Sequence, residues 1–497
     1  MAPNDLVNLS AVELRRRIGS KEISPVEVLD ACIARIEALN PAVNAICATD
    51  FDRARQQAKQ DEAAVLNGEE LGILHGLPCG VKDLDDTAGL LTTLGSPLHK
   101  NNIPAADNFM VSQVRAAGAN LFCKTNTPEF GAGSNSRNPV WGATGNPFDP
   151  MKTAGGSSGG SAAALACDMM PIATGSDTGG SLRNPAAWCG VIGFRTTPGT
   201  IPNDKPVFGW SPLSVVGPMG RTVEDTALLM AAQVGATNAD PLSRSLWPED
   251  VLGLDRVDLG SLRVAFSADQ GFAPVEEAYR PVFAERMEAI KGYFRSFDEA
   301  TPDPGGLDRA FDVIRGLNYA QRYKAQYEAD KMKLGPNVRA NYELAASMSL
   351  ADVAWAHAEH TAHYRRYAQF FEEFDLFITL ITPMSPFPWE TLAPMEMNGQ
   401  KFDKYYTWMG TAYGVTMSAH PAITLPCGVD QNGMPFGFQL VGRYGADEEL
   451  LAAAYALEQA MARNPLTARA VPDLAKLQSP VPALKSIVTD PPGPFTN

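Results

Sequence analysis

Within the first fifty residues, Leu29, Cys32, Ile33, Ile36 and Leu39 recur at helical spacing and place one apolar face along a helix. Two capping boxes open this region, Ser10 with Glu13 and Ser24 with Glu27, the second with Pro25 at the first helical position. The pattern then changes. Short apolar runs at 191–194, 263–266 and 376–380 read as strands, as does the pair 422–425 and 436–441, joined through Asn432-Gly433 as a hairpin turn. Helical segments follow several of these runs, and the alternation predicts an α/β layered domain on a mostly parallel or mixed sheet. From about 274 to 374 the pattern is almost wholly helical and richly charged, with a long helix over 351–371 capped by Ser349. This stretch reads as a helical insertion or lid. From Asn464 on, seven prolines and the ending PPGPFTN predict a tail, about 464–497, that wraps the surface or moves.

Composition narrows the partners more than the fold. With 497 residues, 45% hydrophobic and 20% charged, the chain can bury a sizeable core. Its net charge of −15 disfavours nucleic acid and anionic membrane surfaces, which select for clustered Lys and Arg. The start MAPNDLVNLSAVELRRR lacks a secretory pattern, and the Ala-rich run at 161–166 meets Asp168 and Pro171, so the expected compartment is the cytoplasm. Seven cysteines are scattered singly without a CxxC pair and read as buried free thiols.

The chemistry gathers at three places. Lys82 follows the apolar run 77–81 and precedes Asp83, Asp85 and Asp86. Burial would lower its pKa far enough for a neutral amine to act as a base, whereas a close carboxylate would raise it. A Gly/Ser loop at 155–161 precedes a helical segment. Flanking apolar segments argue against a linker, Ser161 stands where a phosphate loop needs Lys, and G-x-S-x-G matches at Ser157 and Ser158 arise from composition alone. A second loop, Gly175 to Arg183, reads GSDTGGSLR. Its glycines can turn the backbone so that the N–H groups of Thr178, Gly179, Gly180 and Ser181 converge as an oxyanion hole, while Asp177 and Arg183 pair across the turn. The alternative is a tight turn with a surface ion pair.

Taken together, Lys82, Ser157 75 positions later and Ser181 a further 24 on resemble the amidase signature family, as do KTNTPEFG at 124–131 and NPAAWCGVIGF at 184–194. The resemblance is strongest over about 76–218 and returns at 421–442. It implies a single α/β/α domain around a large mixed sheet with a mostly helical insertion. It also implies that Ser181 attacks the carbonyl, that Ser157, preceded by a cis peptide from Gly156, relays the proton to neutral Lys82, that residues 178–181 hold the oxyanion, and that Ser158 supports the network. Neither cofactor nor metal is implied. The expected substrate is a small amide, with carbamates or esters open to the same acyl transfer, and the chain could be a homodimer.

Three rival readings remain. His357, His360 and His363 lie at three-residue steps without the HExxH spacing of a zinc site. A Ser/His hydrolase would use Ser157 as nucleophile and His420 as base. A glutamine-hydrolysing subunit of a tRNA-dependent amidotransferase carries the same core motifs, but its expected YDGxRYG-like segment is replaced here by YELAASMSLADVAWAH. Trp141, Phe208, Trp210, Tyr405, Tyr406 and Trp408 are the aromatic pocket candidates, and they point to an apolar or aryl substrate.

Overall fold

The structure, a computed structural model, describes residues 3–493. One mixed sheet organises it, built from β1 (Ile46–Thr49), β2 (Pro78–Lys82), β3 (Asn120–Thr125), β4 (Ile172–Asp177), β5 (Ile192–Arg195), β6 (Val215–Gly220), β7 (Arg263–Ser267), β8 (Ser296–Glu299), β9 (Leu376–Leu380), β10 (Ala422–Val429) and β11 (Pro435–Val441). The strands lie in the order β1-β3-β2-β4-β6-β5-β10-β11-β9-β7-β8. Pairing is parallel from β3 through β2 to β4 and from β9 through β7 to β8, and antiparallel between β4 and β9.

Side chains alternate across a strand, so neighbouring residues report opposite faces. Leu121, Ile172 and Val216 belong to one apolar cluster, whereas Phe122, Ala173 and Val215 belong to a second. Helices cover both faces, as an α/β/α arrangement requires, and this is why the central strands read as continuous apolar runs.

The helices that matter for the site are α1 (Ala11–Gly19), α2 (Pro25–Val43), α3 (Gly159–Ala166), α4 (Arg183–Cys189), α5 (Leu307–Arg322), α6 (Pro336–Ala346), α7 (Leu350–Glu373) and α8 (Gly410–Ser418). The capping box at Ser24 forms in full, but the one at Ser10 is only half made. Glu13 turns instead to Arg16 and Arg17, at 2.8 and 2.6 Å, because two guanidiniums outcompete one backbone amide. Ser349 caps α7 as its sequence suggests. The stretch read as almost wholly helical also contains β8, which pairs in parallel with β7 and so adds an edge strand to the sheet. All seven cysteines are free, with Cys47 only partly buried. No helix of the described residues is long and apolar enough to cross a membrane.

Candidate active site

The end of β2, the Gly/Ser loop before α3 and the end of β4 meet at Lys82. It is the last residue of β2, whose five residues are all buried, and its ammonium nitrogen is carried to the end of the strand with no exposure to water. Lys82 Nζ donates to Ser157 Oγ at 2.7 Å, Ser158 Oγ at 2.8 Å and Ser176 Oγ at 3.0 Å. Ser158 stands at the N-cap of α3, yet its side chain caps nothing. Ser136 Oγ takes the Gly159 N–H instead, at 3.0 Å, which leaves Ser158 for the lysine. The small residues of α3 let it lie this close: a Cβ at Gly160 would sit 2.2 Å from Asn126 N.

Burial pushes the Lys82 ammonium down to about 7, against the pull of Asp85 and Asp177. The three acids that follow it in sequence are engaged elsewhere. Asp83 accepts from Thr93, Asp85 accepts from Asn108 Nδ2 at 3.0 Å, and Asp86 pairs with Lys205 at 3.3 Å.

Ser181 lies in the turn between β4 and α4. Asp177, at the end of β4, ties this turn down by accepting from Gly180 N at 2.8 Å and Leu182 N at 3.2 Å. The turn needs glycine at 180, where φ is +111° and a Cβ would meet Ala412 at 2.7 Å. Arg183 forks onto Asp177 at 3.0 and 3.1 Å, and Arg195 reaches its Oδ1 at 3.4 Å. All three side chains are fully buried, so the ion pair is an internal clamp and not a surface contact. Burial alone would raise the Asp177 pKa, but Arg183 and Arg195 hold its carboxyl well below the usual range.

Ser157 and Ser181 line one cavity of about 80 Å3. Beside it lies a second of about 150 Å3, which shares Leu84, Phe130, Ser176, Thr178, Arg315 and Tyr319 with the first. A larger cavity of about 910 Å3 touches none of Lys82, Ser157 and Ser181. Among the described residues no hydrogen bond joins Ser157 to Ser181, and the Gly180 N–H, engaged by Asp177, could serve an oxyanion only as a shared donor. The peptide between Gly156 and Ser157 is cis.

The structure separates two other groupings. His420 Nδ1 lies 2.8 Å from Ser418 O, and its ring is packed among Tyr364, Tyr367 and Phe371, so it is not paired with Ser157. None of the six aromatic pocket candidates lines the cavity of Ser181 or the one beside it. Trp408 is buried against Trp188, Trp210 is exposed, Trp141 bonds Thr93, and Tyr405 and Tyr406 stand behind Arg315. Phe130, Tyr319 and Tyr323 supply the aromatic walls instead. Sequence reading also missed Ser176, Arg195 and Arg315. Arg315 had left a signal: it continues the stripe Leu307, Ala310, Phe311, Ile314 on α5, where a charge interrupts an otherwise apolar face.

Comparison with known proteins settles the family. The family model described as Amidase matches residues 27–451. The chain belongs to the amidase signature family. It is therefore an amidohydrolase, with the mixed α/β fold of that family. An acylamidase from Rhodococcus erythropolis is 32% identical over 457 residues, covering 91% of this chain and 96% of the relative. A glutamyl-tRNA(Gln) amidotransferase subunit from Acaryochloris marina is 33% identical over 483 residues, covering 90% and 96%. Among solved structures, a bacterial aryl acylamidase of the same family superposes with a TM-score of 0.85 at 25% identity, covering 96% of this chain and 98% of that one.

Proposed function

We propose that this enzyme opens a carboxylic amide through an acyl-enzyme on Ser181, with Ser157 and Lys82 as the proton relay. The observation that carries the reading is the 2.7 Å contact between a fully buried Lys82 and Ser157 Oγ, beside a cavity that Ser181 also lines. Neutral Lys82 takes the Ser157 proton while Ser157 takes that of Ser181, whose oxygen attacks the carbonyl. The amides of Thr178, Gly179 and Ser181, with Gly180 shared, stabilise the oxyanion, each important donor contributing about 3 to 4 kcal/mol. The relay then returns the proton to the departing amine, and water hydrolyses the ester.

Phe130, Tyr319, Tyr323 and Leu84 line the adjoining space and suit an apolar or aryl portion of a small amide, or of a carbamate or ester that acylates the same serine. The likeness to acylamidases supports this substrate class. Peptide mapping by mass spectrometry after treatment with a fluorophosphonate tests the nucleophile. A single adduct on Ser181 is expected, absent in Ser181→Ala, with turnover of that variant and of Lys82→Ala reduced at least about 10³-fold. An adduct on Ser157, or near-normal turnover by Lys82→Ala, would overturn the assignment.

The similarity to the amidotransferase subunit favours a second reading, ammonia production from glutamine within a larger assembly. Hydrolysis of aryl amides by the isolated chain, with glutamine left intact, would exclude it.

A further inference from the structure

Five arginines are buried: Arg183, Arg195, Arg221, Arg286 and Arg315. Four of them lie beside a carboxylate, on Asp177, Asp168 or Glu285. Among the described residues Arg315 has none. A guanidinium does not shed its charge by losing a proton, and a buried charge without a counter-ion is costly unless something neutralises it.

Its surroundings hold Arg315 in place without neutralising it. Nε donates to Asn341 Oδ1 at 3.1 Å, and Nη2 donates to Tyr319 OH at 3.3 Å and to Tyr405 OH. Asn341 Nδ2 reaches the same Tyr405 oxygen at 2.8 Å, which fixes the plane of the fork. The rings of Phe311, Tyr319, Tyr405 and Tyr406 surround the guanidinium carbon at 5.1 to 5.7 Å. Such rings attract a cation but carry no net charge. Nη1 has no acceptor among the described residues, and Arg315 lines both the cavity of Ser181 and the one beside it. The second cavity is also lined by Arg322 and Lys205 against one carboxylate, Asp85. Lys205 is paired with Asp86 at 3.3 Å, and among the described residues lining the cavity of Ser181, Arg315 is the only charged side chain.

We infer that Arg315 binds a carboxylate on the substrate, so that the enzyme acts on small amides bearing an anionic group a short chain away from the scissile carbonyl. The inference deepens the reading of Ser181 as nucleophile and rests on it. An anion docked on Arg315 would fix the carbonyl at Ser181 from one end, while Phe130 and Tyr319 enclose the chain between them. Nη1 offers its two unengaged N–H groups to such a carboxylate, and charge-assisted bonds of this kind are about twice as strong as neutral ones.

The test compares two amides alike except at the far end, glutaramate, which ends in a carboxylate, and pentanamide, which ends in a methyl. Wild-type kcat/KM for ammonia release should favour glutaramate at least about ten-fold. The ratio should fall towards one in Arg315→Met and stay intermediate in Arg315→Lys, which keeps the charge but loses the planar group that Asn341 and Tyr405 hold. Equal or better turnover of pentanamide by the wild type, or an unchanged ratio in Arg315→Met, would overturn the inference. A readout independent of turnover covers the case in which neither amide reacts or Arg315→Met fails to fold. Millimolar glutarate should raise the Tm of the wild type and slow fluorophosphonate labelling of Ser181, with smaller effects in Arg315→Lys. Labelling of Ser181 unaffected by glutarate sinks the anion site and spares the nucleophile. Stabilisation by glutarate without labelling of Ser181 does the reverse.

Discussion

Lys82 is an amine held where an ammonium is disfavoured, and two consequences follow for pH. Its pKa lies at about 7, against 10.5 for a lysine in water. Only the neutral form accepts a proton, so kcat/KM should rise as pH climbs through about 7 and level off above it. A flat profile across that range, measured with a non-ionising amide, would rule out Lys82 as the base. Stability moves with pH as well: between the two pKa values the unfolded chain binds the proton that the folded chain lacks. The cost of burying Lys82 is therefore greatest below about pH 7 and fades as pH rises towards 10.5. What the sequence told about this residue was partial. Lysine after an apolar run, with two Gly/Ser loops downstream, marked the candidate site. The three following acids left its charge state open, since only the folded chain shows that Asp83, Asp85 and Asp86 bond elsewhere.

Between elements, Asp177 is where β4, α4 and β5 are locked together around the Ser181 turn. Its carboxylate receives Arg183 from α4, Arg195 from β5 and two amides of the turn, all without exposure to water. Asp177→Asn keeps the shape but removes the charge that compensates two buried guanidiniums. Breaking a buried pair from one side costs about 3 to 5 kcal/mol, so denaturant unfolding should show a loss of that order. Turnover should fall at temperatures where the variant is still folded, because the turn that carries Ser181 loses its anchor. An unchanged unfolding midpoint would show that Arg183 is held well enough by Gln439, Thr416 and the Ala412 carbonyl, at 2.5, 2.8 and 3.2 Å. Strands and long helices were legible in the sequence because their periods are regular. The pairing of Asp177 with Arg183 was also legible, being local, but Arg195 was not, since only β5 lying two strands away in the sheet brings it there. β8 escaped for a different reason: Ser-Phe-Asp-Glu is a short, half-exposed edge strand with no apolar alternation to betray it.

For the molecule as a whole, the chain beyond Asn464 closes over the segment that leads to Ser157. Proline richness suggested either wrapping or motion, and composition alone could not choose, because buried leucines among prolines look like any others. Leu477 is buried in the cluster beneath α2, and Leu484 is buried against Ala143 and Trp389. The backbone adds to this: Val481 N donates to Pro41 O at 3.0 Å, and Thr489 N donates to Pro139 O at 3.0 Å. Gly142 runs so close beneath that a Cβ there would lie 2.3 Å from Leu484 O. Residues 137–153 form the short hairpins just before the Gly/Ser loop, so the tail supports the approach to Ser157 from outside. Leu484→Ala should cost about 2 to 5 kcal/mol, as for other fully buried leucines, and deletion of 474–497 should cost more. The decisive comparison is turnover against Tm in the two variants. If the tail braces Ser157, activity should fall in proportion to the loosening of 137–153, read as faster amide hydrogen exchange there, even well below Tm. A deletion variant with wild-type Tm, exchange and turnover would make the tail a passenger on the sheet.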